Sequence, residues 1–86
     1  MSEKIIKKAV SDGKAVMGIS EVTGGMKAGG LSSVFYASNC PGEMLRQLTY
    51  YASLSKVSLE KFGGDSVKLG QVCGKPFNIT VLGIRK

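Results

Sequence analysis

Leu31-Ser32-Ser33-Val34-Phe35-Tyr36-Ala37-Ser38-Asn39-Cys40-Pro41 carries two kinds of order end to end. Val34 to Ala37 is an unbroken apolar run closed by a polar loop and a proline, the pattern of a strand buried on both faces of a sheet. Beyond Pro41 the period changes. Leu45, Leu48 and Ala52 recur at helical spacing, which predicts a helix over 41–55 with Pro41 in the first turn, where its missing N–H costs nothing. Ser38-Asn39-Cys40 then lies at the carboxyl end of a central strand, where open α/β sheets gather ligands.

Upstream, Ser2 to Asp12 reads as an amphipathic helix. Ile5, Ile6, Ala9 and Val10 share a face, Lys4, Lys7 and Lys8 lie elsewhere, and Gly13 supplies a left-handed stop. Ala15-Val16-Met17 is a short apolar run ending at Gly18, and Ser20 is placed to cap a second helix that carries Val22 and Met26. Gly24 and Gly25 fall inside that helix and cost about 0.8–1.0 kcal/mol each relative to alanine, so its order must come from tertiary packing or a partner. Gly29-Gly30 ends it.

Downstream, Tyr50-Tyr51 sit in an otherwise amphipathic helix and are assigned to the core rather than to a base-stacking platform. Val57 to Phe62 has a β-like pattern, and Gly63-Gly64 turns the chain. Ser66 is placed to cap a short helix whose Leu69, Val72 and Cys73 share a face up to Gly74. Phe77, Ile79 and Val81 alternate with Asn78, Thr80 and Leu82 in a last strand. Four short strands alternating with four helices imply helices on both faces of a largely parallel or mixed four-stranded sheet, a three-layer α/β/α sandwich. With no repeat, linker or low-complexity segment, residues 1–86 read as one domain.

A chain of 86 residues buries only about 60% of its unfolded surface, leaving room for one modest core and no separate catalytic domain. Its net charge of +6 and pI near 9.6 favour an anionic partner, nucleic acid being the commonest. Cys40 and Cys73 are too far apart for a zinc knuckle or a redox pair and are read as buried free thiols. There is no histidine, which excludes Ser-His and Cys-His nucleophile systems, and the six acidic residues are scattered. Gly70 to Lys75 is one residue short of a phosphate loop, and Pro76 stands where a hydroxyl would meet magnesium. No enzymatic activity, cofactor or metal is expected. The N-terminus lacks an apolar signal segment and no run approaches the ~18 apolar residues of a membrane span, so a cytosolic protein is expected.

In a sheet of this order the turns at Met17-Gly18-Ile19-Ser20 and Ser38-Asn39-Cys40-Pro41 both fall at strand carboxyl ends, each followed by a helix N-terminus suited to phosphate. Gly74-Lys75-Pro76-Phe77 adds a cation and a ring. Phe77 either stacks an unpaired base or begins the core face of the last strand. Asn39, at the end of the central strand, offers donor and acceptor together and is also placed to cap the third helix.

Several pieces of the chain, taken together, resemble a known family. They are Gly13-Lys14, Gly18, Ala37-Ser38-Asn39-Cys40-Pro41, Tyr50-Tyr51-Ala52, Leu54-Ser55, Ser66-Val67-Lys68-Leu69-Gly70 and Cys73-Gly74-Lys75-Pro76-Phe77. The family is L-thirty-e of the archaeal and eukaryotic large ribosomal subunit, within the L-seven-A-e superfamily of kink-turn RNA-binding proteins. The likeness runs in register over nearly the whole chain. It implies the same sandwich, no enzymatic activity, and a structural protein of the cytoplasmic ribosome. It further implies recognition of a kink-turn internal loop of ribosomal RNA beside neighbouring ribosomal proteins, with no membrane and as a monomer outside the ribosome.

Carried over position by position, the resemblance puts RNA contacts on Gly18, Ser20, Asn39, Phe77 and Ile79, and matches Glu21 to an acidic residue that helps read sheared G·A pairs. Lys27, Lys14 and Lys75 are available as phosphate-facing charge. The family commonly has Lys or Asn in place of Ser20, and Lys in place of Gly24 and Gly30. The alternatives are a stand-alone kink-turn protein of a guide-RNA or RNase P particle, and a protein-binding regulator on the same fold.

Overall fold

The computed structural model describes residues 2–86. In chain order the elements are α1 (Ser2–Ser11), β1 (Ala15–Met17), α2 (Ile19–Ala28), β2 (Leu31–Tyr36), α3 (Gly42–Ser55), β3 (Ser58–Lys61), α4 (Ser66–Val72) and β4 (Val81–Arg85). The strands form a mixed sheet in the order β1-β4-β2-β3. β4 runs antiparallel to both of its neighbours, and β2 is parallel to β3. β1, β2 and β3 therefore point one way. Each leads into a helix, so the N-termini of α2, α3 and α4 collect at one edge of the sheet, together with Val81, where β4 begins. We call this the carboxyl edge.

β2 is an interior strand, as its unbroken apolar run predicts. Val34 is 0% exposed and its neighbour Phe35 1%, and successive side chains point to opposite faces, so β2 is covered on both sides. On one face Val34 packs with Val22 and Met26 of α2 and Leu48 and Ala52 of α3. On the other, Phe35 packs with Ile6 and Ala9 of α1 and Leu69 and Val72 of α4. The result is the predicted α/β/α sandwich.

The glycine pair in α2 splits into two cases. A Cβ on Gly25 would lie 2.9 Å from Cγ of Leu31, so glycine there lets the helix approach the sheet closely; a Cβ on Gly24 would meet nothing within 4 Å. The Ser55 hydroxyl adds a bond to the carbonyl of Met26 at 2.7 Å, tying the end of α3 to the end of α2.

Several local expectations are corrected. Ile5 is exposed, so only Ile6 and Ala9 of α1 are fully inside. Ser20 does not cap α2; Gly18 holds the N-cap position and Ser20 lies in the first turn. Ser66 does not cap α4 either; Oδ1 of Asp65 accepts from the Lys68 N–H at 3.0 Å, while the Ser66 hydroxyl accepts from the Asn39 amide instead. Pro41 sits at the N-cap of α3 rather than inside it.

Tyr51 packs on the core, but Tyr50 is exposed, since adjacent helical positions lie about 100° apart and only one can face the sheet. Cys73 is buried but Cys40 only half-buried; both are free. The last strand starts at Val81, not Phe77. Before it the chain bonds chiefly to α4: the Lys75 N–H donates to the Gly70 carbonyl at 2.9 Å and the Ile79 N–H to the Ser66 carbonyl at 3.0 Å, and only the Thr80 carbonyl turns toward β2, accepting from the Ala37 N–H at 2.8 Å.

Candidate nucleic-acid interface

Two helices open onto the carboxyl edge without a side-chain cap. Gly18 adopts φ 97° and ψ 148°, a conformation that L side chains rarely reach, and no side chain caps the first-turn N–H groups of α2. Its carbonyl accepts from the Val22 N–H at 3.0 Å, the first bond of that helix. α3 starts after Pro41, also with no side-chain cap. First-turn N–H groups of both helices are thus left for solvent or a ligand, at the positive end of each helix dipole. α4 differs, because Asp65 closes it.

Asn39 and Ser66 tie the loops of this edge together. Asn39 Oδ1 accepts from the Ser66 N–H at 2.9 Å, and its Nδ2 donates to Ser66 Oγ at 3.1 Å. The Ser66 carbonyl in turn accepts from the Ile79 N–H at 3.0 Å, and the Ser38 N–H donates to the Gly64 carbonyl at 2.9 Å. Asn39 therefore does not cap α3. Its amide braces α4, leaving one hydrogen and one lone pair for a ligand. Gly70 completes the arrangement, since a Cβ there would collide with the carbonyl oxygen of Phe77. The absent side chain is what lets the Phe77 segment lie against α4.

Between these loops is a hollow of about 340 Å³, lined by Met17, Gly18, Ile19, Met44 and the segment from Phe77 to Val81. Phe77 is 56% exposed, which rules out the strand-core alternative and leaves its ring available. Ile79 is 3% exposed and belongs to the core under α4; it anchors the segment and offers little surface. Lys75 lines a second hollow beyond Phe77.

Other residues singled out from the sequence lie elsewhere. Glu21 lines a separate hollow with Val16, Gly25, Gly30, Leu31 and Arg85, and Ser20 is exposed in the first turn of α2 outside the Phe77 hollow. Lys27 is in the last turn of α2, its Nζ 4.9 Å from the centre of the Tyr51 ring, at the end of the helix away from the carboxyl edge. Lys14 precedes β1, at the opposite edge.

Sequence reading missed Ser66 as a tie, Gly70 as a spacer, Met17 and Met44 as soft walls, and Lys61 and Lys68 as charge. Lys61 ends β3 at the carboxyl edge and Lys68 is in the first turn of α4. Lys61 joins this edge because β3 runs parallel to β2, and Lys68 because α4 starts just after it.

Burial pushes both the Cys40 and Cys73 thiols above their usual range, with Lys75 partly opposing the effect at Cys73. Both stay protonated at neutral pH, so neither is a ready thiolate nucleophile or ligand. Among the described residues no cluster of three or more His, Cys, Asp or Glu could hold a metal, and no helix is long and apolar enough to cross a membrane.

The chain matches the ribosomal protein L7Ae/L30e/S12e/Gadd45 family over residues 1–86. It is 34% identical over 84 residues to the large ribosomal subunit protein eL30 of Methanosphaera stadtmanae, covering 98% of this chain and 86% of that one. It is 38% identical over 77 residues to eL30 of Methanothermobacter thermautotrophicus, covering 90% and 79%. Among solved structures, the 15.5kD RNA binding protein of Giardia lamblia superposes with a TM-score of 0.90 over 98% of this chain and 70% of its own, at 21% identity, a likeness of fold.

Proposed function

The chain belongs to the ribosomal protein L7Ae/L30e/S12e/Gadd45 family, a structural, non-enzymatic class, and from that membership we propose an RNA-binding protein of the large ribosomal subunit. Residues 1–86 act as one domain that grips a kink-turn-like internal loop of ribosomal RNA through the carboxyl edge. Its partners are that RNA and neighbouring ribosomal proteins, in the cytoplasmic ribosome, and outside the ribosome it is a monomer.

The observation that carries this reading is the convergence at one edge of two helix N-termini without side-chain caps, a hollow with apolar walls, and an exposed ring. The first-turn N–H groups of α2 and α3 suit phosphate oxygens. A sharply bent internal loop unstacks bases, and the hollow between Gly18, Met44 and Phe77 takes one of them, with the ring against its face. Lys61, Lys68 and Lys75 supply charge for the backbone. Ser20 and Glu21 meet the RNA where it crosses the first turn of α2, and Asn39 acts chiefly by holding the loops in register.

Titrating the protein with a kink-turn RNA and with a fully paired duplex of equal length tests this. A clear preference for the kink-turn is expected, together with a loss of about 1–2 kcal/mol on Phe77→Ala at unchanged thermal stability. Equal binding of the two RNAs would reduce the protein to a generic cation.

A further inference from the structure

Phe77 is shared by two hollows of different chemistry. The first, described above, is walled by methionine, isoleucine and valine with backbone groups between them. The second, about 250 Å³, is lined by Val67, Gln71, Lys75, Pro76 and Asn78 besides Phe77 itself. Two amides and an ammonium are set here among three apolar surfaces, with no carboxylate in the lining. Val67 is 47% exposed and Phe77 56%, on a backbone fixed from beneath by Gly70 and by the bond from Lys75 to the Gly70 carbonyl. The backbone that carries the exposed ring is therefore held in place.

We propose that the second hollow takes the nucleotide adjoining the one held in the first, so that two unpaired bases of the same RNA flank Phe77. The inference rests on the RNA-binding function above. An RNA strand is favoured because Phe77 and Asn78 line both hollows, making the second continuous with the first, and because its only charged group is a cation. An aromatic ring has two faces, and stacking accepts any base. Lys75 faces the phosphate between the two nucleotides. The amides of Gln71 and Asn78 offer donors and acceptors to the base edge, a pairing that matches adenine best.

The test uses a kink-turn RNA with an abasic residue at each position flanking the nucleotide held in the first hollow, titrated against the intact protein and Gln71→Ala. Removing the base on one flank should weaken wild-type binding about five-fold or more, the scale of one stacked base. Gln71→Ala should weaken the intact RNA several-fold and leave the affinity for that abasic RNA unchanged. Its unfolding midpoint should not move, because the side chain is exposed.

If neither flanking base matters, or if Gln71→Ala loses the same factor on both RNAs, the second hollow is not a nucleotide site. Those outcomes leave the kink-turn reading standing. Equal wild-type affinity for kink-turn and duplex overturns both.

Discussion

The two edges of the sheet are built to opposite ends. At the edge where β1, β2 and β3 begin, the preceding helices all close on a left-handed residue: Gly13 at φ 71°, Gly29 at φ 73° and Lys56 at φ 56°. Backbone bonds seal that edge further, from the Arg85 N–H to the Lys14 carbonyl at 2.8 Å and from the Lys86 N–H to the Gly30 carbonyl at 3.0 Å. At the carboxyl edge two helices start without side-chain caps, a ring stands exposed, and Asn39 and Ser66 tie the loops to one another. One edge satisfies its own helix ends and the other leaves them to solvent or a ligand. On the proposed reading, the binding surface is what the fold leaves unpaired on a well-tied backbone.

The contrast breaks most severely if the carboxyl edge loses its spacer. Gly70→Val drives a branched side chain into the carbonyl oxygen of Phe77, a backbone atom that cannot swing away, and should cost about 3 kcal/mol in thermal or denaturant unfolding, the top of the range for overpacking. A stable Gly70→Val variant with full RNA affinity would show that the Phe77 segment is not held by α4.

Next in size is salt. With Lys61, Lys68 and Lys75 at the carboxyl edge and Lys14 and Lys27 away from it, binding should use about two to three phosphate contacts and weaken roughly 7- to 40-fold for a fourfold rise in salt. A flat response would point to a protein partner on this edge instead.

Asn39→Ala sharpens the comparison by removing the tie alone. It leaves the Ser66 N–H and hydroxyl without their partner and should lower stability by about 1 kcal/mol. RNA affinity should fall in parallel as the loops loosen. Thermal unfolding and RNA titration on the same variant decide it, since an affinity loss at full stability would mean the amide serves the RNA directly.

The smallest effects come from the glycine pair in α2. Gly24→Ala should gain about 0.4–1 kcal/mol, because the added methyl enters open space and the unfolded chain loses freedom. Gly25→Ala should lose stability, because its Cβ meets Leu31. Opposite signs at adjacent positions of one helix would locate the approach of α2 to the sheet, and equal signs would contradict it.

Much of this architecture was legible in the residues themselves. The run from Val34 to Ala37 and the change of period after Pro41 marked an interior strand leading to a helix, because a strand buried on both faces cannot alternate. Gly13 and Gly29 marked helix ends, because few other residues enter the left-handed region without strain. Charge, the missing histidine and the residues shared with the L-thirty-e family set the function class.

Side-chain partners across the chain were not legible, since they depend on which loops the topology brings together. Phe77 to Thr80 alternates like a strand, yet the Ile79 N–H bonds to Ser66 of α4 and only the Thr80 carbonyl reaches toward β2, at Ala37; the close packing of Gly70 against Phe77 is what permits it. Asn39 and Ser66 lie 27 residues apart and neither has a local pattern that names the other. Lys27 looked like free charge but sits over Tyr51, nine residues up α2 from Gly18 and about 13 Å along the axis. Local periodicity determined the elements and their order, because backbone propensity and apolar spacing act over a few residues. The tertiary structure alone decided which loops meet, which amide is already spoken for and which lysines share an edge, because those follow from strand direction and close approach between distant parts of the chain.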